Sequence, residues 1–147
     1  MGIFSRRNKD DDSDAWYNKG NSLARLERYE EAIGCYDEAI RLNPENSDTW
    51  VAKGNSLARL ERHEEAIECY DKAIRLNPEN YNAWVNKGIS LAELKRHGEA
   101  IGCYDEAIRI YPGYAAWHNK GESLIELGRD DEAKECIAKA FREIVGP

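Results

Sequence analysis

Apolar residues recur along this chain at the spacing of a helix face. Ala32, Ile33, Tyr36, Ala39 and Ile40 stand at i, i+1, i+4, i+7 and i+8. That stripe has a period of about 3.6 residues, whereas a half-buried strand alternates every second residue. Upstream, Trp16, Gly20, Leu23 and Glu27 share a second stripe, widened by Ala15, Ser22 and Leu26. The pattern predicts two amphipathic helices. Ser13 and Asp14 offer an N-cap to the first. A turn is expected at Glu27-Arg28-Tyr29, and Pro44 ends the second helix by driving Asn43 out of the helical region.

The same pattern returns three more times. Trp16, Trp50, Trp84 and Trp117 are spaced 34, 34 and 33 residues apart. Gly20, Gly54, Gly88 and Gly121 keep that spacing, as do Cys35, Cys69, Cys103 and Cys136. Pro44, Pro78 and Pro112 follow it, and Pro147 falls two positions late. The units are 13–46, 47–80, 81–113 and 114–147, preceded by residues 1–12. A lone unit cannot bury its own apolar face, so neighbouring units must stack. Small residues such as Gly20 and Ala32 are expected to let paired helices approach closely.

The order Trp16, Gly20, Leu23, Ala32, Tyr36, Ala39, Pro44, repeated as Trp50, Gly54, Leu57, Ala66, Tyr70, Ala73, Pro78, resembles the tetratricopeptide repeat. The resemblance runs over residues 13–147. It implies an all-α, right-handed solenoid of four helical hairpins, eight antiparallel helices in all. It also implies a non-enzymatic scaffold whose first helices line a concave groove for an extended peptide or a partner helix. Unit four departs from the pattern, with Ile137 in the tyrosine column and Val145 in the proline column.

Composition narrows the function. The chain has 147 residues and a formal charge of -7, which argues against nucleic acid because an acidic surface repels phosphate. No apolar run reaches the ~18 residues of a membrane span. The cysteines sit at one place in successive second helices, roughly 8–10 Å apart at the closest, too far for a disulfide. No C-x-x-C pair suggests zinc either. Buried unpaired thiols favour a reducing compartment, so a cytoplasmic location is expected. His63 and His97 share a column with Tyr29 and Asp130, which reads as tolerant surface. No nucleophile stands with a base, so no enzymatic activity and no cofactor or metal is expected.

Columns that vary while their neighbours stay fixed are not explained by packing. In the first helix, Asp14, Tyr17, Asn18, Asn21 and Arg25 form a stripe opposite Trp16. Tyr17 becomes Val51, Val85 and His118 in later units; Asn21 becomes Asn55, Ile89 and Glu122; Arg25 becomes Arg59, Glu93 and Glu126. Asp14 and Asp48 give way to Asn82 and Ala115. The resemblance implies that this stripe is the peptide groove. Arg25 and Arg59 make one half basic; Glu93, Glu122 and Glu126 make the other acidic; Val51, Val85 and Ile89 supply an apolar strip between. The complementary ligand is a peptide with an acidic part, an apolar centre and a basic part. Chaperone-binding members clamp a C-terminal carboxylate with lysine and asparagine. The corresponding residues here are Tyr17, Asn21, Ala52, Asn82 and Asn86, of which only Asn21 matches, so that ligand is not expected.

The ends carry separate expectations. Ile33, Ile67 and Ile101 give way to Lys134, and Leu42, Leu76 and Ile110 give way to Glu143. Unit four therefore reads as its own polar cap. Phe141, Ile144 and Val145 stay apolar; they either fold under the cap or form a homodimer contact, which makes a self-associating structural element the alternative function. Residues 1–12 read as a mobile tail. Arg6 stands where a myristoylation motif wants Ser or Thr, and a membrane-surface role for Ile3, Phe4, Arg6 and Arg7 is the weaker reading.

Overall fold

The structure is a computed structural model that describes residues 8–146. Eight helices account for nearly all of them: α1 (Lys9–Arg25), α2 (Tyr29–Leu42), α3 (Ser47–Arg59), α4 (His63–Leu76), α5 (Tyr81–Glu93), α6 (His97–Ile110), α7 (Tyr114–Glu126) and α8 (Asp130–Val145). The α1/α2, α3/α4, α5/α6 and α7/α8 pairs form the hairpins, and each second helix also packs on the first helix of the next unit. First helices touch one another across units, α1 to α3, α3 to α5 and α5 to α7, whereas no two second helices do among the described residues. The array is thus an all-α solenoid with its first helices on the inner side of the curve.

α1 starts earlier than the sequence pattern suggested. Asn8 is the N-cap, its side chain accepting from the Asp10 amide at 3.3 Å, and Asp10, Asp11 and Asp12 occupy the first turn. Carboxylates there favour the positive end of the helix dipole. Residues 9–12 are therefore helix, not mobile tail. Ser13 is not a cap: it is buried, and its hydroxyl donates to the Ala39 carbonyl at 3.0 Å, as Ser47 does to Ala73. The readings that fall on Ile3, Phe4, Arg6 and Arg7 lie outside the described residues.

Each hairpin closes through the same turn. The Glu27 amide donates to the Ala24 carbonyl and the Arg28 amide to Leu23, at 3.0 and 2.9 Å, satisfying carbonyls that the helix end would orphan. This wrap needs a left-handed residue: Glu27, Glu61 and Lys95 take φ of 59°, 60° and 62°, and unit four places Gly128 there at 71°. Arg28, Arg62 and Arg96 then pair with Glu31, Glu65 and Glu99 across the start of each second helix, and the guanidiniums hold those carboxyls below their ordinary range. The pairs are exposed and contribute little to stability.

The fixed columns are packing columns. Tyr36, Tyr70 and Tyr104 are almost fully buried, each laid against the glycine of its own first helix, with alanines at Ala32, Ala66 and Ala100 completing the contact. The tryptophans are only half-buried. Trp50 and Trp84 reach back to donate their indole N–H to the Pro44 and Pro78 carbonyls at 3.2 and 2.8 Å, which explains why Trp and Pro keep step. Three residues after each tryptophan, Lys19, Lys53, Lys87 and Lys120 lie over its ring, 5.2–5.9 Å from the centroid. Lys53, Lys87 and Lys120 continue to Asp37, Asp71 and Asp105 in the preceding unit, at 2.6–2.7 Å. This lysine column therefore ties the second, third and fourth units each to the unit before it.

Lys134 and Glu143 of unit four are exposed, whereas in the Lys134 column of the earlier units Ile33 and Ile67 are half-buried and Ile101 buried. The four cysteines are buried and free. Burial pushes the Cys69 and Cys103 thiols up to about 11, so they are protonated and unreactive near neutrality.

Candidate functional site

The face made by the first helices holds three adjoining clefts of about 740, 560 and 360 Å³, running from unit one to unit four. Tyr17, Asn21, Arg25, Val51, Asn55, Arg59 and Asn82 line the first, with Asp48 and Asn86 among them. The middle cleft shares Asn55 and Arg59 and adds Ile89 and Glu93. The third has Ile89, Glu93, Glu122 and Glu126 on its walls. Eleven of the fourteen candidate residues are thus gathered on one continuous surface.

Three are not. Asp14 is exposed but outside the clefts. Val85 is buried against Ala107 and Ala116, where α5 meets α6 and α7. His118 stacks on Tyr114 at 5.2 Å and pairs with Glu122 at 3.3 Å, beside the third cleft rather than in it. Val51, although on a cleft wall, is only 6% exposed and belongs to the core around Tyr70. The apolar strip expected along the groove is therefore mostly core, and Ile89, at 37% exposure, is its one exposed member.

Several side chains on this surface have structural partners that the columns did not reveal. Tyr36 donates its hydroxyl to Asn21 Oδ1, and Tyr70 to Asn55 Oδ1, both at 2.7 Å. Asn86 adds a bond to Asn55 Oδ1 at 3.0 Å, tying units two and three together. These asparagines hold the tyrosines in place, which accounts for their pairing through units one and two. In unit three Ile89 replaces the asparagine, and the Tyr104 hydroxyl makes no hydrogen bond among the described residues, although the residue is only 1% exposed and lines the third cleft. Burial first, then the charges of Cys103, Glu122 and Glu93, hold its hydroxyl protonated well above the ordinary tyrosine range.

Charge is graded along the surface. Arg25 and Arg59 mark the unit-one end, but Arg59 is partly engaged, 3.8 Å from Glu27 and 5.3 Å from the Tyr29 ring centroid. Glu93, Glu122 and Glu126 mark the other end, with Lys95 on the rim. Among the described residues no group of His, Cys, Asp and Glu has the arrangement to hold a metal ion. No helix among them is long and apolar enough to cross a membrane.

No curated protein sequence matches the chain. Among solved structures, a MamA crystal structure superposes with a TM-score of 0.84 at 22% identity, covering 89% of this chain and 77% of its own. YrrB, described as a TPR protein with an unusual peptide-binding site, gives 0.76 at 28%, covering 88% of this chain and 67% of its own. The TPR domain of Arabidopsis OM64 gives 0.70 at 20%, covering 91% and 98%. Family models described as Tetratricopeptide repeat match residues 13–46, 51–115 and 114–143. With the 34-residue period and the stacked hairpins already in place, these matches account for nearly the whole array, and the chain belongs to the tetratricopeptide repeat family.

Proposed function

We propose that this chain is a non-enzymatic interaction scaffold that binds an extended peptide or a helix of a partner protein along its first helices. The observation that carries this reading is the run of three adjoining clefts, graded from basic to acidic, on the inner face of the solenoid. A peptide laid along them would have its direction set by charge, acidic part toward Arg25 and Arg59 and basic part toward Glu93, Glu122 and Glu126. Tyr17, Arg25 and Arg59 are the anchors, since aromatic and arginine side chains dominate binding energy at interfaces. The buried free thiols suit a reducing compartment, in keeping with the cytoplasm.

Panning a displayed peptide library against the protein tests this. Selected peptides are expected to lose at least ~10-fold in affinity on combined Arg25→Glu and Arg59→Glu, a cost of about 1.4 kcal/mol. Affinity unchanged by both reversals removes the basic half from the site.

One observation favours a second reading. Phe141, Ile144 and Val145 are 60%, 64% and 77% exposed on α8, an apolar patch at the end of the array. Self-association through that face predicts a dimer that grows with concentration in sedimentation and is lost on Phe141→Asp with Ile144→Asp. A monomer at the highest attainable concentration removes it.

A further inference from the structure

We infer that the third cleft is a socket for a guanidinium, so that an arginine side chain of the bound peptide is read at the unit-four end. This rests on the peptide-groove reading and specifies one of its subsites. An acidic rim alone would mark nothing more than solvated surface. The decisive feature is Tyr104, which is 1% exposed, lines the cleft, and has a hydroxyl with no hydrogen-bond partner among the described residues. The hydroxyl is not sealed off, since the fully buried side-chain polar atom without a partner among the described residues is Thr49 Oγ1; it meets the cleft, where a ligand can supply the bond that the fold does not.

The asparagine-to-isoleucine change explains how the socket arises. Tyr36 and Tyr70 spend their hydroxyls on Asn21 and Asn55. Ile89 in the same column cannot accept, so it releases the Tyr104 hydroxyl and at the same time presents an apolar wall. Ile125, 48% exposed, stands on the other helix of the cleft. An arginine's alkyl stem suits the space between two isoleucines. Its planar fork of five N–H donors suits two carboxylates and a phenolic oxygen, all of which accept. Glu93, Glu122 and Glu126 outweigh Lys95, and neither Glu93 nor Glu126 has an ion-pair partner in the fold among the described residues. An ammonium would satisfy charge but not the planar set of acceptors.

The probe is the blocked tripeptide acetyl-Ala-Arg-Ala-amide, compared with its citrulline counterpart, which keeps the shape and loses the charge. Titration into isotopically labelled protein is expected to move backbone amides of α5 and α7 around Glu93 and Glu122 with the arginine probe. The citrulline probe should bind at least ~10-fold more weakly. Tyr104→Phe removes only the oxygen and should leave the melting temperature unchanged, because the fold makes no use of that hydroxyl, yet weaken the arginine probe about 3-fold. Glu93→Gln with Glu122→Gln should weaken it at least ~10-fold. Equal binding of both probes, shifts confined to the Arg25 end, no shifts, or an indifferent Tyr104→Phe each overturn the assignment. If library peptides bind with sensitivity to Arg25 and Arg59 while the tripeptide gives any of those results, the groove stands and the socket alone falls.

Discussion

Gly54→Ala should destabilise the protein by about 1–3 kcal/mol, the cost of forcing extra volume into a close-packed contact. A methyl group at Gly54 would sit 2.6, 2.9 and 3.0 Å from Cε1, Cδ1 and Cζ of Tyr70. The ring cannot swing aside cheaply. It is 1% exposed, and its hydroxyl is fixed to Asn55 Oδ1 at 2.7 Å. Relief requires α3 and α4 to separate, which would also loosen the contacts that α4 makes with α5. Gly102→Ala is the control. Gly102 is exposed on the outer face of α6 with nothing within 4 Å of the added carbon, so the same chemical change should stabilise by up to about 1 kcal/mol through helix propensity. Gly121→Ala should cost less than Gly54→Ala, because Ile137 replaces the tyrosine and its Cγ1 stands at 3.0 Å on a branched side chain. Denaturant midpoints of the three variants check the order. Equal destabilisation at Gly54 and Gly102 would show that the tyrosine contact is not what holds the glycine column.

That contrast also marks how far the sequence could be read. The glycine, alanine, tyrosine and proline columns were legible because packing repeats with the unit, and a repeated constraint leaves a repeated residue. Where a position answers to only one unit, the signal disappears. Asn8 and the three aspartates after it look like a charged tail, and only the capping bond from Asp10 to Asn8 reveals a helix start. Val51 and Val85 share a variable column with Tyr17 and His118 and so read as groove, yet they sit where the inner stripe turns into the interface between units. Tyr17 itself stays half-buried beside Tyr36, with ring centroids 6.1 Å apart. A valine is small enough to withdraw fully into that same place. The partnership of Asn21 with Tyr36 spans fifteen residues and two helices. It could have been suspected from the asparagine pair in units one and two, but the unpartnered Tyr104 that follows from Ile89 required the geometry.

Alkaline pH should unfold the protein abruptly while leaving it unaffected between about pH 6 and 8. Five buried acids drive this. Burial pushes the Cys69 and Cys103 thiols from an ordinary 9.0 up to about 11, and Tyr36 from 10.0 to about 12; Tyr70 and Tyr104 are also raised by burial. A group whose ionisation is raised in the fold holds its proton more tightly folded than unfolded. Its contribution is full below the unfolded value and is lost as pH climbs through the folded one. For each of the two thiols that is up to about 3 kcal/mol, lost between about pH 9 and 11. Two such losses are comparable to the ~5–15 kcal/mol that holds a typical domain together. The tyrosines add their share above about pH 10, so the chain should melt before they ionise in place. Helicity followed by circular dichroism should therefore fall in the same narrow step in which tyrosinate absorbance from these three rings rises. Cys69→Ala with Cys103→Ala should shift that step to higher pH, since alanine occupies the site without an ionisable proton. Thiolate and tyrosinate signals that develop fully with helicity intact would mean that the units open to solvent far more readily than their packing implies.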